Sequence, residues 1–427
     1  MKRREFIQRS ALAAAGLYLV GCRTAPRRIS ANEKLNLGII GVAHQGQYDM
    51  DNVAGENIVA LCDVDDTYLA AAKQKFPAAK TYNDFRHLLD QRDIDAVVIA
   101  TPDHTHAVAT AAALHSGRHV YCEKPLTRTI SECRDVTELA RKHKLITQIG
   151  TQIHSGGNYH QVVELIQQDA IGPVNEVHVW VNATYGGHDA PKDTPPVPAG
   201  LHYDLWLGSV APHPYSPEYV PVKWRNWWAF GGGVLADFGC HFLDLPHWAL
   251  GLRSPLSVQV VEGPPVALDS PPPWLILHYE YPPARSQGAP IRLKWYHGGK
   301  KPALLPTTLA DKWKSGVLFV GAKGTLLADY TRHVVLREAN FVDYTEPPAI
   351  KSDFTEHHRD WLRAIKANRP AASDFAYSGP LTEAALLGNV AYRAGCKIEW
   401  DATNLRAKNC PAATEFIQHH YRPGWRL

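Results

Sequence analysis

The sequence predicts two folded domains: an α/β domain with a doubly wound parallel sheet, residues 34–153, and an α+β domain with a mostly antiparallel sheet, residues 154–427. In the first half, continuous apolar strands alternate with helical segments, which is typical of a parallel sheet covered on both faces. In the second half, short strands that alternate apolar and polar residues are separated by proline-rich loops. A length of 427 residues is sufficient for two domains.

Five apolar stretches predict the strands of the first domain. They read "LNLGIIGVA", "NIVALCDVD", "DAVVIATP", "HVYCEKP" and "LITQIG". The helices predicted between them read "DTYLAAAKQKF", "NDFRHLLDQR", "HAVATAAALHSG" and "ISECRDVTELARKHK". This alternation indicates βαβ units in sequence.

The second domain is predicted to open with a helix, "GNYHQVVELIQQDAIG", closed by Gly172. The strands "VNEVHVWVNATY", "WLILHYEY", "IRLKWYH" and "GVLFVGAKGTLLADY" follow, with two closing helices near 355–367 and 380–395. Between the first two strands lies "LADFGCHFLDLPHWALGL", residues 235–252, predicted as one mostly apolar helix. Its second stripe carries Asp237, His241 and Asp244 at spacings that bring side chains together.

Composition favours an ordinary globular protein, since 45% of residues are hydrophobic and 20% are charged. A formal net charge of +3 without a basic stripe argues against a nucleic-acid partner. The seven cysteines contain no CxxC pair, so we expect neither a metal site nor a disulfide scaffold.

Residues 1–33 are interpreted as a targeting signal and a linker, neither of which belongs to the folded domains. Arg3-Arg4 before Glu5-Phe6-Ile7 resembles a twin-arginine export signal, and the apolar run after it is too short to span a membrane. "LVGC" resembles a lipobox that would make Cys22 a lipid anchor. The expected location is therefore the periplasm, either free or as a membrane-anchored lipoprotein.

The turn after the first strand predicts a dinucleotide site of the Rossmann type. It reads Gly41-Val42-Ala43-His44-Gln45-Gly46, a G-x-G-x-x-G frame with alanine at the second glycine. Asp63 ends the second strand, 22 residues after Gly41, where a carboxylate bonds a ribose 2′-hydroxyl and repels a 2′-phosphate. NAD is therefore favoured over NADP.

Further cofactor contacts are expected at the carboxyl ends of the later strands, where ligands bind in such sheets. The peptide bond before Pro125 is a candidate for the cis form. These candidate contacts are Thr101, Pro102, His104, Glu123, Lys124 and Gln152.

From about Leu35 onward, the sequence resembles the Gfo/Idh/MocA family of sugar oxidoreductases. The resemblance rests on the glycine turn, "EKP", "DLWLG", "WRNWWAFGGGVLADFGCHFLDLPHW" and "LTEAALLGNVAYRAGCKIEWDA". It implies that Lys124, Asp237 and His241 form the catalytic group, with His241 as acid/base near its ordinary pKa of ~6.5. Without the resemblance, His241 would read as a hydrogen-bonded core residue.

Substrate contacts are predicted around the junction of the two domains. Aromatic rings beside an arginine suit a carbohydrate or uronate, although each residue could equally pack an interface. The candidates are His154, Tyr203, Trp206, Trp224, Arg225 and Trp228, together with Asp237 and His241.

The leading hypothesis is an exported NAD-dependent oxidoreductase that acts on a sugar or sugar derivative, with no metal. An alternative is a glycoside hydrolase in which tightly bound NAD oxidises a sugar hydroxyl transiently before elimination, water addition and re-reduction. A third interpretation is a non-catalytic sugar-sensing protein, against which the presence of Lys124, Asp237 and His241 argues. The resemblance and the broad sheet also lead us to expect a homo-oligomer.

Overall fold

A computed structural model describes residues 30, 32–284, 288–305, 307–337 and 350–427. The predicted export signal and Cys22 lie outside these ranges. No helix within them combines the length and apolar character needed to cross a membrane.

The first domain is built on a six-stranded parallel sheet, which confirms the doubly wound prediction. In the described part of the chain its strand order is β3-β2-β1-β4-β5-β6. The strands are β1 Asn36–Ile40, β2 Asn57–Cys62, β3 Lys80–Tyr82, β4 Ala96–Ile99, β5 His119–Glu123 and β6 Thr147–Gly150. The sequence reading missed β3, because this three-residue edge strand is largely exposed and carries no apolar run.

Both faces of this sheet are covered by helices. These are α1 Gln45–Val53, α2 Asp66–Lys75, α3 Phe85–Leu89, α4 Asp103–His115 and α5 Ile130–His143. Val97 and Ile99 pack into one apolar cluster and Val98 into the other, because successive strand residues point to opposite faces. Strands buried on both sides therefore read as continuous apolar runs.

The second domain contains a nine-stranded sheet in the described ranges, ordered β13-β12-β11-β7-β10-β9-β8-β14-β15. Its neighbours pair antiparallel except β7 and β10, which run parallel, so the prediction of a mostly antiparallel sheet is confirmed. The strands are β7 Val174–Val181, β8 Ser257–Glu262, β9 Leu275–Tyr281, β10 Ile291–His297, β11 Gly316–Gly321, β12 Gly324–Ala328, β13 His333–Arg337, β14 Ile398–Asp401 and β15 Arg406–Ala407.

The remaining helices flank this sheet or return to the first domain. They are α6 Gly157–Gln167, α7 Tyr203–Leu207, α8 Gly233–Phe242, α9 Asp244–Leu250, α10 Thr307–Ala310, α11 Glu356–Ala367, α12 Phe375–Ala394 and α13 Thr414–Ile417. Two predicted ends were wrong. Helix α6 stops five residues before Gly172, and α12 begins at Phe375 because the Asp374 carboxylate caps it.

The segment 235–252 forms two helices where one was predicted. Helix α8 ends at Phe242 and α9 begins at Asp244. Pro246 explains the break, because its ring nitrogen cannot donate to the carbonyl four residues earlier. Asp244 is consequently turned away from His241, and its carboxylate lies 3.0 Å from His154 Nδ1 and accepts from the Tyr377 hydroxyl.

Helices α11 and α12 join the second domain to the first. Trp361 and Ile365 of α11 complete the apolar cluster that covers one face of the parallel sheet. Glu383 of α12 accepts two hydrogen bonds from the Arg134 guanidinium of α5, at 2.9 and 2.8 Å. The two domains therefore share packed helices.

The expectation of no disulfide was wrong. Cys396 and Cys410 are joined, linking the turn before β14 to the short 3₁₀ segment Pro411–Ala413. Their separation of 14 residues shows no recognisable spacing, and only the folding of β14 and β15 brings the two sulfurs together. In the described ranges the other cysteines are buried thiols.

Candidate active site

The glycine turn forms one wall of a cleft between the two domains. Gly41 has φ +85°, and a Cβ added there would lie 2.6 Å from the carbonyl oxygen of Ala100. A Cβ on Gly46 would lie 2.0 Å from the Gly41 carbonyl oxygen, so α1 can approach β1 only with glycine at this position. Ala43 lines the cleft between them.

Most of the predicted cofactor contacts line this one cleft. The Asp63 carboxylate lies at its edge and accepts from the backbone N–H groups of Val42, at 2.9 Å, and Asp65, at 3.0 Å. The predicted contacts that the structure brings together here are Gly41, Ala43, His44, Gln45, Asp63, Thr101, Pro102, Glu123 and Lys124.

Glu123 is held at the floor of the cleft by side-chain amides from two elements. Its carboxylate accepts from Gln152 at 2.6 Å and from Gln45 at 3.2 Å. Burial, and then the nearby charge of Asp49, raises the pKa of Glu123 to about 8. Gln152 therefore positions Glu123, while Gln45 both positions it and faces the cleft.

Lys124 and Asp237 form an ion pair at the end of the cleft, across the domain junction. The peptide bond between Lys124 and Pro125 is cis. Arg225 Nε lies 3.1 Å from the same carboxylate, and the Tyr185 hydroxyl donates to its other oxygen at 3.1 Å. Burial alone would raise the pKa of Asp237, but Lys124 and Arg225 together hold it well below its ordinary value. Asp237 is therefore ionised.

His241 lies one turn after Asp237, and its hydrogen bond with Thr151 determines which ring nitrogen carries the proton. The Thr151 hydroxyl donates to the Cys240 carbonyl at 3.1 Å, so its oxygen accepts from His241 Nδ1, also at 3.1 Å. Nε2 then carries a lone pair. Burial, followed by the charge of Lys124, lowers the pKa of His241 to about 3. The expected pKa near 6.5 is thus corrected, and the imidazole is neutral at neutral pH.

Three residues near this group were not found by sequence reasoning. Tyr185 is placed by the loop after β7, and Thr151 follows β6 directly. Asp103 opens α4, and one of its carboxylate oxygens has no hydrogen-bond partner among the described residues. Burial raises the pKa of Asp103 to about 8. The only available signal was position, because each of the three follows a strand end.

The structure places several predicted contacts away from the cleft. His104 is 1% exposed, and its Nε2 lies 2.7 Å from the Trp206 carbonyl oxygen. His154 is stacked on Trp248 and engaged by Asp244. These two imidazoles are therefore internal.

Two aromatic candidates are corrected for the same reason. The Tyr203 hydroxyl donates to the Pro214 carbonyl, and Trp228 Nε1 donates to the Ala267 carbonyl. Their rings are buried in packing contacts. By contrast, Trp206, Trp224 and Arg225 do line the cleft.

The cleft suits a dinucleotide by its composition. The glycine turn, the Asp63 carboxylate and the Lys124 cation all line it, and these suit a pyrophosphate, a ribose and a polar reacting group. Among the described residues, no three or more His, Cys, Asp and Glu side chains are grouped to hold a metal ion.

Two family models match the chain. Residues 35–151 match an oxidoreductase family with an NAD-binding Rossmann fold, and residues 178–427 match the C-terminal α/β domain of that oxidoreductase family.

Similar curated proteins include two sugar-related enzymes. Inositol 2-dehydrogenase of Salmonella typhimurium is 33% identical over 150 residues, 34% of this chain and 45% of that protein. Glycosyl hydrolase family 109 protein 2 of Shewanella sp. strain MR-4 is 27% identical over 198 residues, 40% of this chain and 43% of that protein. The matches thus span less than half the length of these two relatives.

Solved structures of similar fold cover more of the chain. WlbA dehydrogenase from Bordetella pertussis, in complex with NADH and UDP-GlcNAcA, has a TM-score of 0.62 at 19% identity, covering 86% of this chain and 99% of its own. Aldose-aldose oxidoreductase from Caulobacter crescentus has a TM-score of 0.59 at 18% identity, covering 86% of this chain and all of its own. These likenesses establish the fold.

Proposed function

Because the chain belongs to the Gfo/Idh/MocA oxidoreductase family, with its NAD-binding Rossmann domain, we propose that it oxidises a hydroxyl-bearing carbon of a sugar or sugar derivative. The observation that carries this proposal is the ion pair of Lys124 with Asp237, one helical turn from a neutral His241, at the end of the cofactor cleft. During oxidation of an alcohol, a proton acceptor removes the hydroxyl proton and a nearby cation stabilises the developing alkoxide.

The cofactor site fits NAD on the geometry of the glycine turn. The close approach of α1 to β1 suits the N-terminus of α1 to a pyrophosphate, and Asp63 would meet the adenosine ribose. Bound NAD supplies the hydride acceptor beside the substrate carbon. Glu123, fixed by Gln45 and Gln152, would hold the nicotinamide ribose.

His241 would take the proton of the reacting hydroxyl through Nε2. Its lowered pKa keeps Nε2 unprotonated and able to accept at neutral pH, and the imidazolium formed returns the proton in the reverse direction. The Lys124 ammonium would stabilise the developing alkoxide, because the ionised Asp237 holds it in place. Arg225 and Tyr185 would keep Asp237 from rotating away.

The test is a substrate screen with purified protein and NAD. Inositols, aldoses, uronates and nucleotide sugars are incubated separately, and NADH is followed at its absorbance maximum. Oxidation of at least one class, lost in Lys124→Ala, is the expected result. Binding of NAD with neither NADH formation nor glycoside cleavage would favour the non-catalytic sugar-sensing function.

The glycoside hydrolase with transient oxidation is a second candidate. It is favoured by the likeness to the Shewanella family 109 protein, and by the Cys396–Cys410 disulfide, which suits an oxidising compartment where free NAD is scarce. Chromogenic glycosides separate the two candidates. Release of the chromophore without net NADH, abolished when NAD is stripped, would select the hydrolase.

We propose further that the chain is exported by the twin-arginine route to the periplasm, with Cys22 as a lipid anchor. The disulfide supports an oxidising destination. Arg3→Lys/Arg4→Lys should retain folded protein in the cytoplasm, and fatty-acid labelling should depend on Cys22. A homo-oligomer is likewise proposed, and light scattering of the purified protein would measure its order.

A further inference from the structure

We infer that two segments of the second domain, loop 198–202 and segment 419–427, close the adenosine end of the cleft and retain NAD through repeated turnovers. This inference rests on the proposed function, because it takes the cleft to be the NAD site. It adds residues that the glycine-turn motif does not indicate.

Loop 198–202 is bonded across the mouth of the cleft. Asp66 N–H donates to the Gly200 carbonyl at 2.9 Å, and His202 N–H donates to the Val64 carbonyl at 2.8 Å. Asp65 and Leu201 form an isolated antiparallel bridge. These bonds begin one residue after Asp63, so they cross beside the expected position of the adenosine ribose.

Segment 419–427 supplies an aromatic wall beyond the ribose. Trp425 lines the cleft together with Asp84 and Phe85. The Trp425 ring lies 5.9 Å from the Phe85 ring and 4.5 Å from the guanidinium carbon of Arg86. Trp425 would hold the flat base of a dinucleotide whose ribose binds Asp63, because aromatic side chains bind such surfaces by stacking.

The two closing segments are also tied to each other. Arg422 Nη1 donates to the Asp204 carboxylate at 2.6 Å, and Arg422 Nη2 donates to the Asp204 carbonyl at 2.7 Å. Arg422 N–H donates to the Ser209 carbonyl at 3.2 Å. Since Asp204 lies in α7, directly after the loop, Arg422 ties segment 419–427 to the helix that continues from the loop.

Retention has a chemical consequence. A hydride removed from a substrate carbinol must be returned before the next oxidation, because exchange with free NAD is slow. The returned hydride reduces a carbonyl compound, either the oxidised sugar itself or a second aldose or ketose, and a proton from the acid/base group completes the alcohol. In the substrate screen, NADH should therefore form on the protein, at no more than one equivalent per active site, until a carbonyl compound accepts the hydride.

The experiment measures dissociation of NAD without substrate. The full-length protein is loaded with isotopically labelled NAD, desalted, and chased with excess unlabelled NAD. We expect wild type to keep the label over many minutes, and Trp425→Ala to release it on the order of ten times faster or more. Trp425→Phe should retain it, and the exposed neighbour Arg426→Ala is the matched control.

Arg422→Gln provides an independent variant, because it loosens the segment without removing the aromatic ring. Faster release from both variants supports the inference. Wild-type release within seconds, or unchanged release from both Trp425→Ala and Arg422→Gln, would overturn it while leaving the proposed function intact. Failure of wild type to bind NAD at all would overturn the proposed function as well. Should Trp425→Ala not fold, Arg422→Gln decides alone.

Discussion

The charges of the candidate catalytic group are set by what surrounds each residue. Asp237 and His241 are neighbours on one helix, yet Lys124 and Arg225 keep the carboxylate ionised while burial keeps the imidazole neutral. At Asp103 the balance is reversed, because burial outweighs the charges of Arg225 and Lys124 and raises the pKa of that carboxyl to about 8. Both groups are therefore deprotonated at neutral pH, Asp237 as an anion that anchors Lys124 and His241 as a neutral imidazole that can accept a proton.

His241→Ala should fold and bind NAD, because the dinucleotide contacts lie mainly on the first domain. Turnover should fall by roughly 10²–10⁴-fold, the usual contribution of a positioned acid/base. Thermal melting, NAD titration and turnover on the same variant measure the three properties. If the variant were destabilised but turned over normally per folded molecule, His241 would be a core residue whose loss leaves a cavity.

Asp63 should select NAD over NADP, since its carboxylate lies at the ribose edge of the cleft. Asp63→Arg should shift the ratio of the two affinities towards NADP by roughly tenfold or more, because like-charge repulsion is replaced by attraction. Asp63→Asn is the matched control, as it keeps an acceptor for the Val42 and Asp65 N–H groups. Tighter binding of NADP by wild type would contradict the assignment.

At the scale of elements, short interruptions decide which side chains meet. Pro246 divides the segment 235–252, so Asp244 joins His154 and Tyr377 while Asp237 and His241 stay on α8. Glu123 is the last residue of β5 and Lys124 follows it, and both line the cleft. Catalytic neighbours therefore come from a strand end and a helix that are far apart in the chain.

The Cys396–Cys410 disulfide should stabilise the last sheet strands. Replacing both cysteines by alanine is expected to lower the free energy of unfolding by about 2–3 kcal/mol, the usual cost for a loop of ~15 residues. Urea denaturation of wild type and the double variant measures it. Equal stability, or a full complement of reactive thiols in unfolded wild type, would show that the bond does not form.

At the scale of the whole molecule, many histidines are buried in the neutral form. Burial lowers the pKa of His119 to about 4 and that of His247 to about 3. Three buried carboxyls act in the opposite direction, since burial raises the pKa values of Asp49, Asp103 and Glu123 to about 8. Such carboxyls stabilise the fold most at low pH, and their contribution is lost as pH rises through about 8.

His119 allows the histidine effect to be isolated. Its Nδ1 accepts from the Ile146 N–H at 2.9 Å, so protonation breaks a buried bond. Because its folded pKa is about 4 and its unfolded pKa ~6.5, its contribution is present above pH ~6.5 and lost as pH falls towards 4. His119→Asn, which keeps an acceptor, should show a smaller fall in unfolding free energy between pH 6.5 and 4. Parallel curves from urea denaturation would contradict this.

The sequence by itself determined the two domain classes, the glycine turn and the residues at the strand ends, because hydrophobic periodicity and backbone sterics act locally. It also indicated Lys124, Asp237 and His241 through motif resemblance. Only the tertiary structure decided that His241 is neutral, that Arg225 and Tyr185 reach Asp237, and that Tyr203, His154 and Trp228 are packed away from the cleft. Burial and ion pairing depend on residues that are distant in the chain, so the local hydrophobic periodicity of the sequence cannot predict them.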